Sequence, residues 1–312
     1  MSSIKTSSYK PSLTLFELKS EFNNIIKLYE SSRSPKVLLL SGEKGSGKFT
    51  LINHFLVSFY DKEKYNFDDF TINQESSFYK KFLDNIFPNI IYIKGSNFKN
   101  TKVEEIRNLK STILKTSISK KERFIIFDDV ELLNSNSLNA LLKIIEEPTS
   151  KNNFILLNNK KKKLIETIKS RALEFKIILP NYRRVKIIES LIKQNSIDIV
   201  KIDFKLSHIS PGNFLRFNNI CVLNKIDING EYLDNISTLL MIYKKEKNSD
   251  IIDFILYLTE MYFYNLTKKK SGNFEKVFEK KSFIIKNIDK FLLYNLNQNS
   301  LINAINNKFL DE

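Results

Sequence analysis

The run KVLLLS (36–41) leads straight into GEKGSGK (42–48) and then into FTLINHFLVSFY (49–60). A short apolar run that ends at a glycine reads as a buried strand. Leu51, Phe55 and Phe59 recur at helical spacing, so 49–60 reads as a helix. The pattern G-x-x-x-x-G-K between a strand and a helix is the context that a phosphate-cradling loop requires. Gly42, Gly45 and Gly47 let the backbone turn N–H groups toward phosphate oxygens. The helix N-terminus adds partial positive charge, and Lys48 can reach terminal phosphates. The bland alternative is a lysine-bearing glycine turn.

The strand–loop–helix unit is one piece of a longer alternation. NIIYIKG (89–95), RFIIFDD (123–129), NFILLN (153–158) and LEFKII (173–178) read as further strands. VEEIRNLKSTIL (103–114) carries Val103, Ile106, Leu109 and Ile113 on one helical face. SNSLNALLKIIEEP (135–148) does the same with Leu138, Leu141, Leu142 and Ile145, ahead of a proline stop. Buried apolar strands separated by helices imply a parallel sheet covered on both faces. After Pro180 the apolar residues keep helical spacing only, as at Ile187, Leu191 and Ile192 or Ile251, Ile252, Ile255 and Leu258. ISPGN (209–213) and NKIDINGE (224–231) mark breaks. The expected organisation is an α/β domain over 1–180, a small helical domain over 181–225 and a second helical domain over 226–312.

Two residues set the chemistry of the loop. A hydroxyl normally follows the lysine and ligates Mg²⁺, but this chain has Phe49 there. Thr50 lies about 100° further round the helix and does not replace it. The strand FIIFDD (124–129) ends in acid. Asp128 stands where a magnesium-associated aspartate belongs. Asp129 stands where a longer carboxylate would orient the attacking water, and a displacement of about 1 Å costs about a hundredfold in rate. The alternative reading of the pair is a solvated acidic strand end.

The single cysteine, Cys221, excludes a disulfide framework and a cysteine zinc site. No apolar run approaches the roughly 18 residues of a membrane span, and MSSIKTSSYK has no apolar signal core, so a cytoplasmic protein without membrane contact is expected. The formal net charge is +15. Its lysines are spread from end to end, and the tightest cluster is NNKKKKL (158–164). A general lysine bias and an electrostatic contribution to a DNA-handling assembly both account for that pattern.

FIIFDDVELLNSNSLNALLKIIEEP, followed by NNFILLNNKKKKLIETIKSRALEF, resembles the clamp-loader branch of the AAA+ ATPases in bacterial DNA polymerase III. VEEIRNL (103–109), the entry segment 15–42 and SPG (210–212) extend the resemblance over roughly residues 15–220. It implies an AAA+ P-loop domain, a helical lid and an all-helical collar. It also implies γ/τ-type and δ partner subunits, and a sliding clamp and primed DNA reached through the assembly. Asn158 falls at the sensor-1 position and Ser170-Arg171-Ala172 at the Ser-Arg-Cys motif, which makes Arg171 the arginine offered to a neighbour's ATP. Gly212 falls where motor subunits carry the sensor-2 arginine. Many relatives hold zinc with four cysteines between the loop helix and the second strand. Segment 61–89 has none, so no zinc is expected and its fold must rest on its aromatic residues. These departures point to a stator that binds ATP weakly and has no catalysis of its own. An active γ/τ-type motor and an autonomous non-specific DNA-binding protein are the alternatives.

Overall fold

A computed structural model describes residues 11–31, 34–95, 122–146, 148, 151–269 and 274–310. The chain divides into two compact units. One runs to Ser196 and includes Ser210–Asn213, and the other takes Ile197–Ile209 and Phe214 onward. The helix expected over 103–114 lies outside the described residues.

The first unit contains a five-stranded sheet of β1 (Val37–Ser41), β4 (Ile90–Lys94), β5 (Arg123–Asp128), β6 (Asn152–Asn158) and β7 (Leu173–Lys176). Its order is β4-β5-β6-β1-β7, and every pairing is parallel. Successive side chains on a strand point to opposite faces, and here both faces are buried. Leu38, Leu40, Phe124, Ile126, Ile155 and Leu157 meet α1 (Lys19–Glu30) and α2 (Lys48–Tyr60). Leu39, Ile125, Phe127, Phe154 and Leu156 meet α4 (Ser135–Glu146) on the other side. This is why the strands read as continuous apolar runs and not as alternating ones. Arg183 on α6 (Asn181–Gln194) pairs with Glu21 of α1 at 2.9 Å.

Segment 61–89 packs through aromatic rings. It forms a small hairpin of β2 (Tyr65–Asn66) and β3 (Thr71–Ile72), then α3 (Ser77–Leu83). Phe78 stacks on Tyr60 at 5.0 Å and on Phe82 at 5.9 Å, and meets Phe87 edge-on at 4.7 Å. Tyr65 stacks on Phe22 of α1 at 5.2 Å. Aromatic pairs of this kind add about 0.5–1.5 kcal/mol beyond the area they bury. Among the described residues no cluster of His, Cys, Asp and Glu could hold a metal ion.

His54 of α2 ties this region to the chain entry. Its Nε2 donates to the Ser12 carbonyl at 3.1 Å, and Nδ1 accepts the Tyr65 hydroxyl at 3.1 Å. Burial pushes its pKa down to about 4 from the ordinary 6.5, against a smaller upward pull from the Ser12 carbonyl. The unfolded chain therefore takes up a proton below about pH 6.5 that the folded chain refuses. Stability is full above that pH and falls as pH drops toward 4, by roughly 3 kcal/mol from this group. Urea unfolding at pH 7.5 and 4.5 should show that His54→Gln loses less stability on acidification than wild type. Equal losses would refute the assignment.

The second unit is all helical. The body of α7 (Pro211–Leu223) is followed by α8 (Tyr232–Glu246), α9 (Ser249–Lys269), α10 (Phe274–Tyr294) and α11 (Gln298–Leu310). Phe217 stacks on Phe254 at 4.8 Å, and the Tyr232 and Thr259 hydroxyls share a buried hydrogen bond of 2.9 Å. Cys221 is buried, and its thiol is pushed up to about 12 by burial. Among the described residues no helix is long and apolar enough to cross a membrane.

Candidate functional site

The glycine loop leaves the C-terminal end of β1 and enters α2. Gly45 and Gly47 have φ of 84° and 90°, in the region that favours glycine, so the loop keeps the backbone shape of a phosphate cradle. Lys48 is only 3% exposed. Its Nζ donates to the carbonyls of Gly42 and Glu43, each at 2.8 Å, so the ammonium is turned back on its own loop. Burial lowers its pKa to about 8, opposed by Asp128, Glu131, Asp129 and Glu43.

The SPG segment closes on the crest of this loop. Ser210 Oγ donates to the Lys44 carbonyl at 2.6 Å, and the Gly212 N–H donates to the Gly45 carbonyl at 2.8 Å. A Cβ on Gly212 would stand 2.8 Å from Gly45 Cα, so the approach needs glycine on both sides. Pro211 occupies the first position of α7, where its missing N–H is not needed.

Asp128 and Asp129 sit at the end of β5, next to the loop in the sheet order only through β6. Asp128 Oδ2 accepts the Tyr92 hydroxyl at 2.6 Å. Its Oδ1 accepts the Asp129 N–H at 2.9 Å and Asn159 Nδ2 at 3.1 Å. Asn159 Nδ2 also reaches Asp129 Oδ1 at 2.9 Å. Asp129 is buried, with a left-handed φ of 54°. Phe49, half-buried in the first turn of α2, meets Tyr92 edge-on at 5.5 Å and Phe82 at 6.3 Å. It belongs to the aromatic packing. Thr50 is half-buried one position along. These residues do not fit a magnesium ion. An apolar ring stands in place of the hydroxyl ligand, and protein donors already occupy the carboxylate.

Asn158 closes the opposite side. Its Nδ2 donates to Ser41 Oγ at 3.3 Å, its Oδ1 accepts the Lys160 N–H at 2.9 Å, and its carbonyl accepts the Gly42 N–H at 3.1 Å. It is thus fastened to β1 at the mouth of the loop. Its neighbour Asn159 reaches the two aspartates. Buried Glu131 accepts the N–H groups of Asn159 at 3.1 Å and Lys161 at 3.3 Å, and burial raises its pKa. These two bonds hold 159–161 as a loop. The helix α5 (Glu166–Lys169) begins only after four successive lysines, which offer no apolar face. Tyr92, Glu131 and Asn159 were not among the residues the sequence pointed to. The only signal was their place beside the motifs.

Arg171 follows α5 and precedes β7, the edge strand. Its guanidinium pairs with Glu146 at the end of α4 at 2.8 Å and donates to the Thr167 carbonyl at 3.0 Å. The side chain is 38% exposed. β7 runs parallel to β1 with Leu173 opposite Leu38. Arg171 therefore lies at the N-terminal end of the sheet, whereas the glycine loop leaves the other end. At about 3.3 Å per residue, the strand between them keeps Arg171 more than about 13 Å from its own loop. It cannot serve the phosphate site of its own chain.

A family model described as DNA polymerase III, delta subunit, matches residues 18–180, more than half of the chain. A DNA polymerase III subunit gamma from Buchnera aphidicola subsp. Acyrthosiphon pisum (strain APS) is 29% identical over 168 residues, which cover 54% of this chain and 45% of that protein. A DNA polymerase III subunit delta' from Buchnera aphidicola subsp. Schizaphis graminum (strain Sg) is 29% identical over 200 residues, covering 63% and 56% respectively. A solved gamma subunit-related protein of Thermotoga maritima shares 15% identity with a TM-score of 0.46, over 94% of this chain and 98% of that one. The chain spans about half the length of the curated relatives it matches. With the family match covering the parallel sheet, the glycine loop and the acidic strand end, the chain belongs to the DNA polymerase III, delta subunit family, the clamp-loader family of AAA+ proteins that its motifs resemble.

Proposed function

We propose that this chain is a delta'-type stator of a bacterial clamp loader, which helps load a sliding clamp onto primed DNA without hydrolysing ATP itself. The observation that carries the reading is the pairing of Asp128 with Tyr92 beside Phe49. Hydrolysis needs a metal held between a hydroxyl and that carboxylate; here the hydroxyl is missing and this chain's own donors hold both carboxylate oxygens. The loop still has its glycines and Lys48, so weak nucleotide binding with little dependence on Mg²⁺ goes with the proposal. Arg171, at the far end of the sheet, is the group this subunit would offer to the ATP of a neighbouring γ/τ-type subunit. Residues 1–180 form the P-loop domain in this reading, 181–225 the lid and 226–312 the collar through which it joins γ/τ and δ.

The purified chain is expected to show negligible ATP turnover. Steady-state hydrolysis at about 1 s⁻¹, below the median for enzymes, would overturn the stator reading if it vanished in Lys48→Ala. That outcome would favour the motor reading, which draws support from the intact glycine loop and from relatives named gamma and tau.

A further inference from the structure

Phe49 leaves position 49 without a hydroxyl ligand. The structure holds a second element beside it. Tyr92 projects from β4, two residues before the Lys94–Asp128 register pair, and places its hydroxyl on Asp128 Oδ2 at 2.6 Å. An O–H···O⁻ bond of that length is charge-assisted and strong. The ring of the same residue packs edge-on against Phe49 at 5.5 Å, with 71° between the planes, and Phe49 is backed by Phe82. Asn159 and the Asp129 N–H take the other oxygen. An ionised carboxylate has about four acceptor positions, and three are filled by this chain.

We infer that Tyr92 is a blocking residue: its hydroxyl occupies the carboxylate oxygen that a divalent cation would need, and its ring and that of Phe49 form one latch over the position. This rests on the stator reading and gives it a cause beyond the missing ligand. A cation entering here must break the Tyr92–Asp128 bond. It must also displace a half-buried phenol that burial and the neighbouring aspartates hold protonated. Restoring the hydroxyl alone therefore does not rebuild the site. The aromatic pair and the carboxylate have to be released together.

Mn²⁺ binding to the nucleotide-free chain tests this, followed by electron paramagnetic resonance. Phe49→Thr should stay within twofold of wild type. Tyr92→Phe, which keeps the ring and its packing, should bind Mn²⁺ severalfold tighter, and Phe49→Thr/Tyr92→Phe at least tenfold tighter. Adding Asp128→Asn should remove each gain. If Phe49→Thr fails to fold, as judged by its melting curve, the comparison of Tyr92→Phe with Tyr92→Phe/Asp128→Asn decides alone. No gain in Tyr92→Phe, a full gain in Phe49→Thr alone, or a gain that survives Asp128→Asn would overturn the assignment. ATP turnover by the wild-type chain is a separate readout, so the latch can fail while the stator reading stands.

Discussion

Alanine at Arg171 is expected to leave the chain folded and able to join its assembly, yet to lower the DNA-stimulated ATPase of the assembled loader about tenfold or more. The ion pair that the change removes is with Glu146, and both side chains are more than a third exposed. Pairs of that kind contribute about 0–1 kcal/mol, so the melting temperature should barely move. The functional cost follows from placement. Arg171 lies just before the sheet's edge strand, at the end remote from its own glycine loop, and its guanidinium is held by contacts weak enough to be exchanged. A guanidinium is always charged and presents a fork of donors to phosphate oxygens. Arginine fingers contribute about 10³–10⁵ in turnover. Only one interface of the assembly would lose its finger, so the effect on the whole is smaller. Arg171→Lys should rescue poorly, because a point charge does not reproduce the fork. The check is ATPase and clamp loading by a complex reconstituted with each variant. Normal assembly with wild-type rates for Arg171→Ala would remove the trans role.

Phe78→Ala is expected to cost about 3–5 kcal/mol, the range for deleting a buried aromatic ring, whereas EDTA should leave the melting temperature unchanged. Phe78 is 3% exposed and touches three rings, those of Tyr60, Phe82 and Phe87. It links α3 to the end of α2 and to the approach of β4, so its loss opens a cavity at the joint of segment 61–89. Around it are Tyr60, whose hydroxyl donates to the Glu122 carbonyl at 2.6 Å, and Ser76, which caps α3 through the Tyr79 N–H and donates to Asp61 at 2.6 Å. The chelator result separates this scaffold from a metal-held one. Urea unfolding gives the first number and a thermal melt with and without EDTA gives the second. A drop in melting temperature on chelation, or a cost below about 1 kcal/mol for Phe78→Ala, would contradict the aromatic account.

The strands were legible because they are buried on both faces: VLLL, FIIF and FILL carry their own evidence in a few consecutive residues. The glycine loop was legible for a related reason, since Gly45 and Gly47 adopt a backbone that few other residues tolerate. Phe49 and Asp129 were legible as departures, because each can be compared with the chemistry its position calls for. Arg171 was legible only through the resemblance. Its ion pair with Glu146, 25 residues away, has no local pattern. The tertiary structure decided what became of the acidic pair. Tyr92 and Asn159 lie 36 and 31 residues from Asp128 along the chain and meet it only because β4, β5 and β6 are adjacent in register. It decided the loop at 159–161 as well, where a buried Glu131 accepts the N–H groups of Asn159 and Lys161. It also set Gly212 against Gly45, across 167 residues. Periodicity and backbone preference are properties of neighbours along the chain. Hydrogen bonds across a parallel sheet are properties of which strands lie side by side, and that is settled only when the whole core packs.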